Sequence, residues 1–109
     1  MRQKLVVRRR RADDDIELAI SYYLDEAGTE IASAFLNQLE EAIRYISRQP
    51  AAGSQRYGYE LQISDLRQWP IKRFPYLIFY VEKERCIEIA RVLHSKRDIP
   101  SSITLDQTE

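Results

Sequence analysis

Apolar and polar residues in the first half of the chain repeat with the period of an α-helix. After a short apolar run at residues 5–7, typical of a strand, apolar side chains recur at steps of three and four over residues 12–24. The same spacing returns over residues 32–46, and Pro50 ends this second stretch. Gly28 is well placed to end the first stretch. The pattern therefore predicts an antiparallel helical hairpin.

The second half of the chain changes to the period of a β-strand after residues 50–64, whose turn-forming composition indicates an irregular connection. Residues 66–73 are a candidate strand that Pro70 interrupts, which indicates a bulge or a sheet edge. Residues 76–81 are nearly all apolar, as in a central strand covered on both faces. A charged turn leads to a last strand over residues 86–94, so the three strands predict an antiparallel meander.

These elements predict an α+β fold of order β-α-α-β-β-β, with the helical hairpin packed on one face of the sheet. The length of 109 residues is that of a single domain over residues 1–109. We expect a structured core over about residues 4–100 and a flexible tail over residues 101–109.

Composition and charge narrow the class of protein. The chain is 44% apolar and 31% charged, as folded globular proteins are. Its net charge of zero argues against a dedicated nucleic-acid-binding protein, so we expect no direct sequence-specific nucleic-acid binding. The basic residues at the start are not followed by the apolar segment of a secretory signal, and no apolar run in the sequence is long enough to span a membrane. The single cysteine, Cys86, cannot form an internal disulfide and is interpreted as a reduced core residue. These features predict a cytoplasmic protein without a membrane segment.

Most kinds of catalytic or ligand site are not predicted. Three glycines cannot build a Gly-rich phosphate loop, and one histidine with one cysteine cannot supply a usual zinc ligand set. Residues 13–15, three consecutive aspartates, are interpreted as a solvated helix start, because successive side chains point around a helix instead of converging. We therefore expect no metal and no cofactor.

The end of the last strand carries the remaining candidate chemistry. His94 is the side chain whose ordinary pKa lies near neutrality, so proton transfer at neutral pH would fall to it. Arg91 alternates in step with the isoleucines before it, so it is predicted to lie on an otherwise apolar face. Two interpretations stay open. Either Arg91 pairs with a helix carboxylate while Lys96 and Arg97 are solvated, or these residues take part directly in function.

Two segments of the second half resemble ParE toxins of the RelE/ParE superfamily. They are Trp69-Pro-Ile-Lys-Arg-Phe-Pro-Tyr-Leu-Ile-Phe-Tyr80 and, after a charged turn, Ile87-Glu-Ile-Ala-Arg-Val-Leu-His-Ser-Lys-Arg-Asp-Ile99. The layout of the helical half is also similar, so that the resemblance spans roughly residues 4–100.

The resemblance implies the toxin of a bacterial type II toxin–antitoxin system, with a cognate antitoxin encoded by a neighbouring gene. ParE toxins poison DNA gyrase and are not catalysts, whereas the sister RelE branch cleaves mRNA on the ribosome. As a ribonuclease, the chain would use Arg91 for phosphate stabilisation and His94 for proton transfer. The neutral charge, and Ser95 where several RelE enzymes carry a tyrosine, favour the gyrase inhibitor.

The resemblance and the charge pattern together select candidate binding residues. Candidates for contact with the target follow the last strand: Arg91, His94, Lys96, Arg97 and Asp98. Candidates for contact with the antitoxin are the basic run and two aromatic residues: Arg8, Arg9, Arg10, Arg11, Trp69 and Phe74. We expect the antitoxin to lay an acidic, amphipathic segment over the toxin and to add a strand at a free sheet edge. The alternative for the basic run is that it is solvated or paired within the chain.

Overall fold

The structure, a computed structural model, describes residues 3–107, and side chains within residues 3–103. The order of its helices and strands is close to the one predicted. They are β1 Leu5–Arg8, α1 Arg10–Ala27, α2 Thr29–Arg48, a 3-10 turn Pro50–Ala52, α3 Arg56–Leu61, β2 Leu66–Pro70, β3 Tyr76–Glu82, β4 Cys86–His94 and α4 Ile99–Gln107.

The four strands form one sheet of order β1-β4-β3-β2. Strands β2, β3 and β4 pair antiparallel, which confirms the predicted meander, and Pro70 ends the edge strand β2. Strand β1 pairs parallel with β4, from Leu5 opposite Cys86 to Arg8 opposite Ile89. The sheet is therefore mixed, and the α+β class is confirmed.

The predicted helical hairpin covers one face of this sheet. A single residue, Gly28, joins α1 to α2 at a φ of 93°, a backbone conformation that glycine adopts without steric cost. The apolar stripe of α2, with Phe35 and Leu39 wholly buried, packs against Ile78 and Tyr80 of β3. This is the larger of two hydrophobic cores.

The opposite face of the sheet carries a second core that the sequence pattern did not predict. Phe79 and Leu93 on that face contact Ile99 and Ile103 of α4, with α3 alongside. Residues 50–64, expected to be irregular, contain the 3-10 turn and α3, and residues 101–107 of the expected tail are helical. Residues 108 and 109 lie outside the described residues, so the flexibility of the tail stays a prediction.

A β-bulge in β4 changes which face its side chains occupy. Phe79 pairs with Arg91 but the next residue, Tyr80, pairs with Ile89, so Ala90 is the extra residue. Because one extra residue moves every later side chain to the other face, Arg91 does not share the face of Ile89. The prediction that it alternates in step with the earlier isoleucines is therefore wrong.

Cys86 also departs from its interpretation as a core residue. It is the first residue of β4 and is only partly buried, because the strand begins at the margin of the sheet. The core positions of β4 start one residue later, at Ile87.

Candidate functional site

An ion pair buried beneath α1 holds the centre of the region that the sequence selects for function. Arg91 donates from Nε to Asp15 Oδ2 at 2.8 Å and from Nη2 to Asp15 Oδ1 at 2.9 Å. The two side chains retain only 7% and 6% of their exposure to solvent. Two parallel charge-assisted bonds in a buried setting make this a strong and geometrically demanding contact.

The same two side chains also satisfy backbone groups of the sheet and of α4. The ladder between β1 and β4 ends at Ile89, so the edge of β4 beyond it pairs with none of the described strands. There Asp15 Oδ2 accepts a hydrogen bond from the Val92 N–H at 3.0 Å, and Arg91 Nη1 donates to the Ser102 carbonyl at 3.3 Å. Since buried backbone groups need partners, the pair completes the sheet edge and joins it to two helices.

The three consecutive aspartates of α1 thus have separate roles. Asp13 forms an ion pair with Arg8 at 2.9 Å, with both side chains 50% exposed, and Asp14 is exposed. Asp15 lies 200° around the helix from Asp13, at about 100° per residue, and faces inward. The interpretation of a solvated helix start is wrong for Asp15, because its carboxylate is buried against Arg91.

His94 is anchored at the end of β4. Its Nδ1 accepts a hydrogen bond from the Lys96 N–H at 3.1 Å, and its ring lies edge-on to the Tyr76 ring at 5.2 Å between centroids. Burial raises the pKa of the Tyr76 hydroxyl, with the nearby Tyr22 as a smaller cause. The aromatic neighbour and the backbone contact fix the orientation of the imidazole.

The other target candidates lie in the turn between β4 and α4. Lys96, Arg97 and Asp98 are all exposed. The Asp98 carboxylate accepts from the Ser101 N–H at 3.4 Å and its carbonyl accepts from the Ser102 hydroxyl at 3.0 Å. Asp98 therefore caps the start of α4, while Lys96 and Arg97 project from the same turn.

The basic run divides into a paired half and a half that lines a groove. Arg8 pairs with Asp13, and Arg9 donates to Glu88 from Nη2 at 2.7 Å. Arg10 and Arg11 lie at the mouth of a groove that extends to Arg97. We call this feature the arginine groove; its volume is 440 Å³ and it is lined by Arg10, Arg11, Asp14, Asp15, Leu18, Arg91 and Arg97.

The two aromatic candidates, Trp69 and Phe74, lie in different surroundings. The Trp69 ring stacks on Tyr45 with centroids 4.8 Å apart, whereas Phe74 packs against the rings of Tyr23 and Phe35 in the larger core. Trp69 borders an open cleft of 460 Å³ between α2 and β2, here called the Trp69 cleft. Its lining residues are Gln38, Glu41, Ala42, Arg44, Tyr45, Arg48, Trp69, Pro70 and Lys72.

The cleft residues on α2 were not among the sequence-based candidates. Arg44, Tyr45 and Arg48 are exposed, at helical steps of one and three, so one side of α2 carries them towards β2. A basic, aromatic patch on a helix otherwise rich in acidic residues was the available signal.

Among the described residues, no three His, Cys, Asp or Glu side chains come together as a metal site would require. Within residues 3–107, no helix combines the length and apolar character needed to cross a bilayer.

The fold is shared with a solved protein structure. The chain aligns with a structure described as the chromosomal ParDE TA system from P. aeruginosa at a TM-score of 0.72 and 18% identity. The alignment covers 86% of this chain and 98% of the other. At this identity the likeness shows the fold, and no curated protein sequence matches the chain.

The sequence itself matches a family model over residues 6–99, from β1 to the start of α4. That family is described as the ParE toxin of type II toxin-antitoxin system, parDE. Since the match covers most of the chain, the protein belongs to the ParE toxin family. This confirms the resemblance seen in the two strand motifs.

The buried ion pair leads to a testable prediction on stability. Replacing Asp15 by alanine leaves a buried guanidinium without a counter-charge and the Val92 N–H without an acceptor. We expect Asp15→Ala to lower the free energy of unfolding by about 3–5 kcal/mol. Urea unfolding followed by the fluorescence of Trp69 measures this change.

The neighbouring aspartate provides a matched control. Asp14→Ala removes an exposed carboxylate from the same helical turn and should cost less than about 0.5 kcal/mol. The double variant Asp15→Leu with Arg91→Met should regain about half of the loss or more, because both charges leave the interior together. Equal costs for Asp15→Ala and Asp14→Ala would contradict the proposed role of the pair.

Proposed function

We propose that this ParE family member is a cytoplasmic toxin that inhibits DNA gyrase by protein–protein contact and is neutralised by a cognate antitoxin. The proposal rests on family membership and on one observation within the site. Arg91, the residue that an endoribonuclease of this fold would use to stabilise a phosphate, is buried, and the Nε–Nη2 edge of its guanidinium binds the Asp15 carboxylate through two hydrogen bonds.

That geometry weakens the alternative of ribosome-dependent mRNA cleavage. A group that stabilises a developing phosphate charge must lie within about 3 Å of the reacting oxygens. The guanidinium of Arg91 instead donates its hydrogen bonds to Asp15 and Ser102 inside the protein. Breaking its bonds to Asp15 would leave that carboxylate buried and unpaired. His94 then lacks the cationic neighbour that the ribonuclease mechanism assigns to Arg91. The neutral net charge is a second argument, since ribosomal RNA favours basic partners.

The exposed candidates for target contact lie around the end of β4. His94 is partly exposed, and Lys96 and Arg97 project from the following turn. Asp98 serves the fold of this region by capping α4, and Arg91 does so by binding Asp15, whose carboxylate closes the edge of β4. We propose that His94, Lys96 and Arg97 contact gyrase directly, while Arg91 and Asp98 hold them in place.

Two assays on one preparation of the protein distinguish the functions. We expect it to trap gyrase with cleaved DNA and to block supercoiling, while mRNA on translating ribosomes stays intact. His94→Ala should retain gyrase inhibition to within about tenfold, since contact residues contribute on the order of 1 kcal/mol each outside hot spots. Cleaved mRNA, lost in His94→Ala, together with unaffected gyrase would establish the ribonuclease instead.

For the antitoxin, we propose that an acidic segment with an apolar anchor binds in the Trp69 cleft. Of the described residues that line the cleft, three are cationic (Arg44, Arg48 and Lys72) and one, Glu41, is acidic. The stacked ring of Trp69 offers the kind of aromatic surface that carries much of the energy of protein interfaces. The cleft thus combines charge complementarity with an apolar floor. The paired state of Arg8 and Arg9 makes these two weaker candidates.

Charge reversal in the cleft tests the antitoxin proposal. The double variant Arg48→Glu and Lys72→Glu should weaken binding of the antitoxin from the neighbouring gene by about tenfold or more at low salt, because close like charges cost several kcal/mol. Titration against the fluorescence of Trp69 and calorimetry measure the affinity. Arg56→Glu with Arg85→Glu changes the charge equally at exposed positions outside the cleft and should have little effect. Equal weakening in both double variants would exclude the cleft.

A further inference from the structure

The arginine groove combines more positive charge than its own acidic residues neutralise. Asp15 and Arg91 form its floor and cancel one another. Among the described residues of the walls, Arg10 and Arg97 lie beside the Asp14 carboxylate, and Arg11, which interacts elsewhere within the protein, lies next to Arg10. A protein whose net charge is zero therefore places the positive charges of Arg10 and Arg97 around one groove.

Two of these arginines make no internal polar contact through their side chains. Within residues 3–103, neither Arg10 nor Arg97 takes part in an ion pair or a side-chain hydrogen bond, and both are exposed. Their neighbours Arg8 and Arg9, by contrast, each have a carboxylate partner. The groove therefore keeps guanidinium donors available to an external acceptor.

The position of Arg10 and Arg11 adds a local electrostatic conflict. They occupy the first turn of α1, where the helix dipole favours negative charge. The side chain of the N-cap residue, Arg9, makes no capping hydrogen bond to this turn. An arginine without a carboxylate partner at such a position, as Arg10 is among the described residues, interacts unfavourably with the helix dipole. An anion in the groove would relieve the repulsion among the guanidiniums and interact with the positive end of α1.

We infer that the arginine groove is a binding site for a phosphate oxyanion. A phosphate presents several oxygens to planar guanidiniums, which can each donate two parallel hydrogen bonds. Among the described residues of the lining only Leu18 is apolar, so this part of the groove offers little to anchor the apolar side chains of a peptide. The phosphate belongs either to a nucleic-acid backbone or to a free anion. This inference does not depend on gyrase being the target.

Binding of labelled duplex DNA, followed by fluorescence anisotropy across a salt series, tests whether the phosphate belongs to a nucleic-acid backbone. The double variant Arg10→Gln with Arg97→Gln should lose about tenfold in affinity at low salt, and its salt slope should fall by about two. Arg56→Gln with Arg85→Gln removes the same charge at exposed positions outside the groove and should stay within about twofold. Equal losses in the two double variants would overturn the inference.

Titration of the wild-type protein with inorganic phosphate at constant ionic strength tests the free anion, with the arginine Nε–H signals in NMR spectra as the readout. We expect the signals of Arg10 and Arg97 to shift with phosphate and not with chloride. Such shifts without DNA binding would support the site with a free phosphate as its ligand. Shifts as large with a glutamate-rich peptide as with phosphate would overturn it in favour of an acidic protein partner.

Discussion

A guanidinium inside a small protein destabilises the fold by several kcal/mol unless a carboxylate and further acceptors surround it. Arg91 meets this condition because Asp15 binds it through two bonds and the Ser102 carbonyl accepts a third. The same carboxylate completes β4 where β1 ends. Helix α1, the central sheet and α4 are thus joined by one buried pair, which lies beside the exposed residues at the end of β4.

This constraint separates the surfaces that can act on other molecules. The arginine groove lies on the solvent side of the pair, since Arg10 and Arg97 border it while Arg91 and Asp15 form its floor. The Trp69 cleft lies on another side of the molecule, between α2 and β2. The two surfaces share none of the described lining residues, so one ligand can occupy the groove while another occupies the cleft.

Periodicity predicts the hairpin and the meander well, since their apolar stripes face one core. It fails at Arg91, because a single extra residue at Ala90 reverses the strand faces and leaves no local signal. Asp15 was recoverable, since it shares a helical face with the buried Ala12 and Ala19, at steps of three and four. Helix α4 is weakly amphipathic, and only the spacing of Ile99 and Ile103 hints at it. The Trp69 cleft joins two elements distant in sequence, which no pattern reveals.

Native-state hydrogen exchange at the Val92 amide and the Arg91 Nε–H tests most directly whether the pair is closed. If Asp15 holds both groups, they exchange only through global unfolding and no faster than the slowest amides of β3. Exchange at both groups about a hundredfold faster, with β3 still protected, would show that the edge of β4 opens in the native state. Arg91 would then be available to a substrate phosphate, and the account of a non-catalytic toxin would be contradicted.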